Sequence, residues 1–166
     1  PISSRFVTAD GTVVMTRADL YAGKEGFQKA DLMDYGSLYG MGSYFGPDFT
    51  AKYLVALGQG TEAALAEARF GKQLAALDRD QAVLVRAAMR RELQGIRLDH
   101  DPVVLPAAVA QAIAALRPEI VRWLLTTDLA SGYTKAASLS QADAASTADF
   151  LLYTALTTVA RRPDGS

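Results

Sequence analysis

The chain has 166 residues, of which 50% are hydrophobic and 21% charged, and its formal net charge is −1. These values are typical of one soluble globular domain with a single core. Without a basic excess, nucleic acid is not expected as a partner. The sequence contains no cysteine, which excludes disulfides, thiolate nucleophiles, zinc–thiolate or iron–sulfur sites and covalently attached haem.

The two ends predict a segment of a longer protein. The chain begins at Pro1 without a signal peptide and ends in a polar stretch, residues 161–166. Its most apolar stretch, residues 103–116, contains Pro106 and Gln111 and is too short to cross a bilayer. We therefore expect any membrane-spanning part to lie outside this sequence.

The first elements in chain order are a hairpin and a helix. β-Favouring runs flank Asp10 and Gly11, a typical two-residue turn. Thr16 and Asp19 have the spacing of a capping box at a helix N-terminus. Leu20, Gly23 and Phe27 are three and four residues apart, so they lie on one side of that helix.

Mainly helices are expected after Asp48. Asp48 can cap a helix that ends at Gly58 and Gly60, and Thr61 begins another helix that runs toward Leu77. The next helix begins at Asp78 or Asp80. Its expected core-facing residues are Val85, Met89 and Leu93, and its water-facing residues are Arg86, Arg90 and Arg91.

The last third of the chain predicts a second hairpin and further helices. Residues 96–98 and 103–105 flank a polar turn. A helix follows from Pro106, and Pro118 is expected to divide it in two. Ser140 and Asp143 predict the start of the last helix, whose expected buried stripe is Ala148, Leu151, Leu152, Ala155 and Val159. The sequence therefore predicts a mainly α domain with two small β-hairpins.

Few residues are candidates for chemistry. His100, the only histidine, lies between two aspartates that could help it bind a divalent metal, although a solvated turn is the simpler interpretation. Asp31 and Asp34 could form a carboxylate pair for acid–base work or cation binding, but solvated carboxylates in a helix C-terminal loop are the simpler interpretation of their spacing. The aromatic residues Trp123, Tyr133 and Tyr153 are expected to belong to the core or its edge. The residues alone predict no catalytic residue and no metal site.

A first resemblance lies in residues 18–29, which are similar to the opening helix of a class I cytochrome c. In that family a glycine and an aromatic residue precede the Cys-x-x-Cys-His haem-attachment motif. Counted on from Phe27, the two cysteine positions are Asp31 and Asp34, and the axial histidine position is Tyr35. The resemblance therefore implies a cytochrome-c-like helical domain from which all three haem-binding residues have been lost.

A second resemblance lies in the glycine- and tyrosine-rich stretch from Leu32 to Ala51, which resembles the single-subunit, quinol-dependent nitric oxide reductases. The matching residues are Gly36, Ser37, Gly40, Gly42, Ser43, Pro47, Asp48, Phe49, Thr50 and Ala51. Tyr39 stands where that family usually has Trp, and Met41 where it usually has His. Residues 157–164 resemble the family's segment that leads back toward the membrane.

The second resemblance implies that residues 1–166 form one domain, placed between the first two transmembrane helices of the intact enzyme, on the periplasmic face of the cytoplasmic membrane. The intact enzyme reduces nitric oxide to nitrous oxide with electrons from quinol, at haem b and non-haem iron in its membrane core. This domain would contain no cofactor and no catalytic residue. Its expected partner is the transmembrane core of the same polypeptide.

The expected role is to cap that core, with the segment from Gly36 to Pro47 packed near the membrane. Without its partner surface this segment is expected to be the least ordered part of the domain. Two alternatives remain open: a sensor that binds haem non-covalently through His100 or Met41, and an interaction module of an unrelated bacterial complex.

Overall fold

A computed structural model of the chain describes residues 1–29, 37–39, 41–42, 48–126 and 139–160. These residues contain five α-helices: α1 (Arg17–Lys29), α2 (Phe49–Phe70), α3 (Arg79–Gln94), α4 (Ala107–Thr126) and α5 (Gln141–Val159). They also contain five short strands: β1 (Arg5–Val7), β2 (Val13–Thr16), β3 (Ser37–Leu38), β4 (Met41–Gly42) and β5 (Val103–Val104). The predicted mainly α fold is confirmed. No described helix is long and apolar enough to cross a membrane.

Polar caps begin the helices where the sequence predicts them. The backbone N–H of Asp19 donates to Thr16 Oγ1 at 3.2 Å, and the N–H of Thr16 donates to Asp19 Oδ2 at 3.1 Å. Asp48, Asp78 and Ser140 each accept a hydrogen bond from the backbone N–H three residues later. Each cap satisfies a donor that the first helical turn would otherwise leave without a partner.

The predicted end of a helix at Gly58 and Gly60 is wrong, because α2 continues through both glycines and ends at a left-handed Gly71. A Cβ on Gly60 would lie only 3.0 Å from the Cβ of Ala112, so this glycine lets α2 and α4 pack closely. The buried stripe crosses the glycines without a break and consists of Tyr53, Leu57, Thr61 and Leu65. Burial of this stripe outweighs the cost of about 1 kcal/mol for each glycine.

The predicted division of a helix at Pro118 is also wrong, because α4 runs through this residue. Proline has no N–H to donate to the carbonyl of Ala114, four residues earlier. Both Pro118 and Ala114 are exposed, so solvent can satisfy that carbonyl. Ile113 and Ile120, on either side of the proline, are buried in the same core and keep the helix continuous.

The prediction of a second hairpin at residues 96–105 is wrong. Val103 and Val104 instead pair in parallel with β1, giving a three-stranded sheet of order β2–β1–β5. The hydroxyl of Ser3 donates to the carbonyls of Leu98 and His100, which holds the intervening turn against the N-terminal segment. The first hairpin, β1–β2, is confirmed. A second small hairpin lies in the glycine-rich segment, where β3 pairs antiparallel with β4.

The first and last helices cross at close range. A Cβ on Gly23 would overlap the carbonyl oxygen of Ser146 and lie 2.7 Å from the Cβ of Phe150. A Cβ on Gly26 would overlap the hydroxyl of Thr147. The two glycines are therefore needed for the contact between α1 and α5, which is the most extensive contact between any two of the described elements.

A partly buried ion pair joins α4, α5 and β2. Arg117 Nε donates to Asp149 Oδ1 at 2.7 Å, and Arg117 Nη2 donates to the carbonyl of Val14 at 2.6 Å. Burial raises the pKa of the Asp149 carboxyl to about 6, and the neighbouring guanidinium only partly opposes this rise.

Candidate functional site

An aromatic cluster lies where α1 ends and α2 begins. The Phe27 ring packs edge-on against Phe49 and Phe150, at centroid distances of 6.0 and 5.7 Å. The Phe49 ring lies 5.9 Å from Trp123 on α4. Phe27 and Phe49 are buried, and Phe150 and Trp123 are half-buried. Four rings from four helices thus fill the interior next to the C-terminal end of α1.

One cation lies on this cluster. Lys52 Nζ is 5.2 Å from the ring centroid of Trp123 and 5.4 Å from that of Tyr53. Such contacts stabilise a fold by about 0.5–1 kcal/mol at exposed positions. Burial raises the pKa of Tyr53 to about 12, so its phenol stays protonated at neutral pH and offers no general base.

The cluster bears on whether a cytochrome-type haem would fit here. Attachment of haem c needs two cysteines, and the chain has none. The haem-attachment positions follow the end of α1 in sequence. Packed aromatic rings occupy the interior beside that end of α1. Asp31, Asp34 and Tyr35 themselves lie outside the described residues. The residues present do not fit a covalently attached haem.

Leu38 packs the described part of the glycine-rich segment against the core, and Tyr39 holds it by hydrogen bonds. The backbone of Tyr39 adopts the left-handed region, with φ of 54°. Its N–H donates to Thr50 Oγ1 at 3.2 Å, and that hydroxyl donates to Thr154 Oγ1 at 3.3 Å. Its phenol OH lies 2.7 Å from the hydroxyl of Thr157. Tyr39 therefore joins the glycine-rich segment to the start of α2 and to the last two turns of α5.

Tyr39 belongs to a partly exposed group of tyrosines that we name the tyrosine face, made of Tyr21, Tyr39 and Tyr153. The side chains of Tyr21 and Tyr39 are 54% and 52% exposed. Tyr153 is half-buried and packs edge-on against Phe6. Its pKa is raised, chiefly by burial and secondarily by Tyr39 and Tyr21, which lie near enough to contribute. Exposed tyrosines with an apolar ring and a polar OH are typical of interaction surfaces.

The family model for the cytochrome c-like domain of the nitric oxide reductase NorB matches residues 3–166. The chain belongs to this family. A search of curated proteins finds no match.

Membership confirms two expectations drawn from the resemblances, namely the cytochrome-c-like fold and the assignment to a nitric oxide reductase. In this cytochrome c-like domain His100 lies in an exposed turn, where its carbonyl accepts a hydrogen bond from the hydroxyl of Ser3 and its N–H donates one to the carbonyl of Arg97. Among the described residues no group of three His, Cys, Asp or Glu could hold a metal ion. Met41 belongs to β4, and Tyr133 lies outside the described residues, as does most of the segment from Gly36 to Pro47. The predicted order of that segment stays a prediction.

Sequence reasoning missed the contact that holds Tyr39, in the tyrosine face of this cytochrome c-like domain, against α5. Tyr39 and Thr157 are separated by 118 residues in sequence, and no local pattern relates them. The density of glycine and tyrosine around Tyr39 did indicate a segment that packs on something, but it did not say on what.

Proposed function

We propose that this chain is the haem-free, non-catalytic domain of a single-subunit, quinol-dependent nitric oxide reductase. It lies between the first two transmembrane helices, on the periplasmic face of the cytoplasmic membrane. The parent enzyme reduces nitric oxide to nitrous oxide at haem b and non-haem iron in its membrane core. The absence of cysteine supports this proposal, since a domain without haem c cannot accept electrons from a soluble cytochrome, whereas quinol reaches the membrane core directly.

The role of the domain is to cap the membrane core through the tyrosine face. The observation that carries this proposal is the pair of hydrogen bonds through which Tyr39 joins the glycine-rich segment to Thr50 of α2 and to Thr157 of α5. The resemblance of residues 157–164 to the family's segment that leads back toward the membrane supports a position for the end of α5 just before that return. The tyrosine face therefore lies at the end of the domain from which the chain would enter the transmembrane core.

The docking proposal can be tested by cross-linking in the full-length enzyme. A photoreactive phenylalanine analogue at position 39 should form a cross-link to the transmembrane part of the same polypeptide. The matched control is position 69, which is also exposed and lies toward the other end of α2, roughly 29 Å from Thr50 at 1.5 Å per residue. Cross-links from position 69 but not from position 39 would show that another face docks.

The haem and quinol proposals need separate measurements. The chain titrated with haemin should show no saturable Soret band, and the full-length enzyme should contain haem b but no haem c. Nitric oxide consumption by that enzyme should proceed with quinol and not with reduced cytochrome c. A saturable Soret band that disappears in His100→Ala or Met41→Leu would instead establish the haem-binding sensor.

A further inference from the structure

The outer face of α3 combines positive charge with exposed apolar side chains. Val83 and Leu84 are 62% and 56% exposed, and Ala87 is exposed beside them. Exposed arginines lie along the same helix at Arg79, Arg86, Arg90 and Arg91. We name these seven residues the basic face. The opposite side of the helix packs into the interior through Val85, Ala88 and Leu93, so the basic face is turned to solvent.

The charge of the basic face is not neutralised by the described part of the chain. Three of the six described arginines elsewhere pair with carboxylates: Arg17 with Asp101, Arg97 with Asp99 and Arg117 with Asp149. None of the four arginines of the basic face has such a partner among the described residues. The acidic residues of α3 are Asp80 and Glu92, and Asp78 is its N-cap. Lys72 adds positive charge near the N-terminal end of α3, because its Nζ is held there by a hydrogen bond to Gln81 Oε1 at 3.1 Å.

Two shallow depressions lie between the arginine side chains. One, of about 470 Å³, is lined by Arg79, Arg86 and Arg90 over Ala82, Val83 and Ala87. The other, of about 480 Å³, is lined by Arg90 and Arg91 over Ala87, Gln94 and Gly95. Each is lined by at least two arginines together with small residues. Guanidinium groups bind phosphate oxygens through paired N–H donors.

We infer that the basic face binds an anionic phospholipid surface, with phosphate groups between the arginines and Val83 and Leu84 against the interfacial region. A convex helix face with basic and aliphatic side chains suits the plane of a membrane and needs no complementary cavity. The choice of a membrane rests on the proposed function, since a domain tethered on both sides to membrane helices stays close to lipid. Met89 packs near Gly58 in the first half of α2, so the half of α3 that carries Arg90 and Arg91 points toward the end where Tyr39 is held.

The test is co-sedimentation of the chain with vesicles. Vesicles of phosphatidylcholine and phosphatidylglycerol should bind the chain, and vesicles of phosphatidylcholine alone should not. Because the whole chain carries a net charge of −1, attraction to anionic vesicles must come from a local face. Binding should weaken as salt is raised.

Matched double substitutions locate the binding face. Arg86→Gln with Arg90→Gln should lower the partition coefficient about 30-fold, at about 1 kcal/mol for each arginine removed. Lys24→Gln with Arg122→Gln changes the net charge equally on exposed positions of α1 and α4 and should leave binding within twofold of the unmodified chain. Equal thermal unfolding midpoints for the two doubly substituted chains would show that the fold is retained.

Several results would overturn the inference. Equal weakening in both doubly substituted chains would assign the binding to overall charge. Competition by inorganic phosphate, beyond that of chloride at the same ionic strength, would assign the face to a free anion. Retention on polyglutamate without binding to vesicles would assign it to an acidic protein partner. If vesicles fail to bind while position 39 still cross-links in the full-length enzyme, the lipid inference fails and the proposed function stands.

Discussion

Gly23→Ala is the substitution for which the structure makes the sharpest prediction. Alanine is normally preferred to glycine within a helix by about 1 kcal/mol, so helix propensity alone predicts a more stable protein. At this position the added Cβ would overlap the backbone carbonyl oxygen of Ser146 and lie 2.7 Å from the Cβ of Phe150. Carbon atoms ordinarily approach to about 3.5–4.0 Å without bonding. A backbone atom cannot rotate away, so α1 and α5 must move apart.

The size of the effect follows from these opposing contributions. Overpacking of a core costs about 1–3 kcal/mol and sometimes more, and a clash with backbone belongs at the upper end. After subtraction of the gain in helix propensity, Gly23→Ala should lower the free energy of unfolding by about 2 kcal/mol. For a chain of this length such a loss lowers Tm by about 4–8 °C.

The matched control is Gly58→Ala, within α2. The nearest atom to a Cβ on Gly58 is Met89 Sδ at 3.8 Å, which is an ordinary contact. This variant should therefore raise Tm by about 2–4 °C. Thermal unfolding followed by circular dichroism at 222 nm measures both changes. A Gly23→Ala protein as stable as the unmodified chain would refute the close crossing of α1 and α5.

Three further predictions concern single residues. Since burial raises the pKa of Asp149 to about 6, the folded state takes up a proton before the unfolded chain does. In denaturant titrations the free energy of unfolding should therefore rise by about 1 kcal/mol from pH 7 to pH 5. This rise should be lost in Asp149→Asn. A fall in the free energy of unfolding of the unmodified chain between pH 7 and pH 5 would contradict the reasoning. Tyr39→Phe removes the hydrogen bond to Thr157 and should lower the free energy of unfolding by about 0.5–1 kcal/mol, with no loss if the bond does not form in solution. Pro118→Ala restores a donor for the carbonyl of Ala114 and should raise Tm, by an amount equivalent to about 1–3 kcal/mol. A lower Tm would mean that the helix does not continue through residue 118.

Local signals in the sequence predicted the beginnings of helices correctly. Thr16, Asp48, Asp78 and Ser140 act as caps because the bond from a cap to the N–H a few residues on depends only on neighbouring residues. The arginines of α3 were likewise predicted to face water from helical periodicity alone, and they do.

Predictions of where helices end failed where tertiary packing decides. Gly60 interrupts a helix in isolation, but here it lets Ala112 come close. Pro118 breaks a helix in isolation, but here the unpaired carbonyl is exposed and the residues on either side are buried. Val103 and Val104 were expected to pair with a nearby segment and pair instead with β1, about a hundred residues earlier.

The candidate site was predicted only in part, for the same reason. The stretch around Tyr39 carried the family resemblance, and the family is confirmed. The bond from Tyr39 to Thr157 and the proximity of Tyr21 to Tyr153 depend on how α1 and α5 cross, which no window of sequence contains.

The partnership of α1 with α5 also determines when the domain can fold during its synthesis. The glycine surface of α1 is complete once Lys29 has been made, but its partner surface around Ser146 and Phe150 appears more than a hundred residues later. At about 5–20 residues per second, the first helix waits many seconds for the last. Until then Leu20 and Phe27 remain without the surface that buries them in the folded domain, so a chaperone has a defined interval in which to hold the chain unfolded.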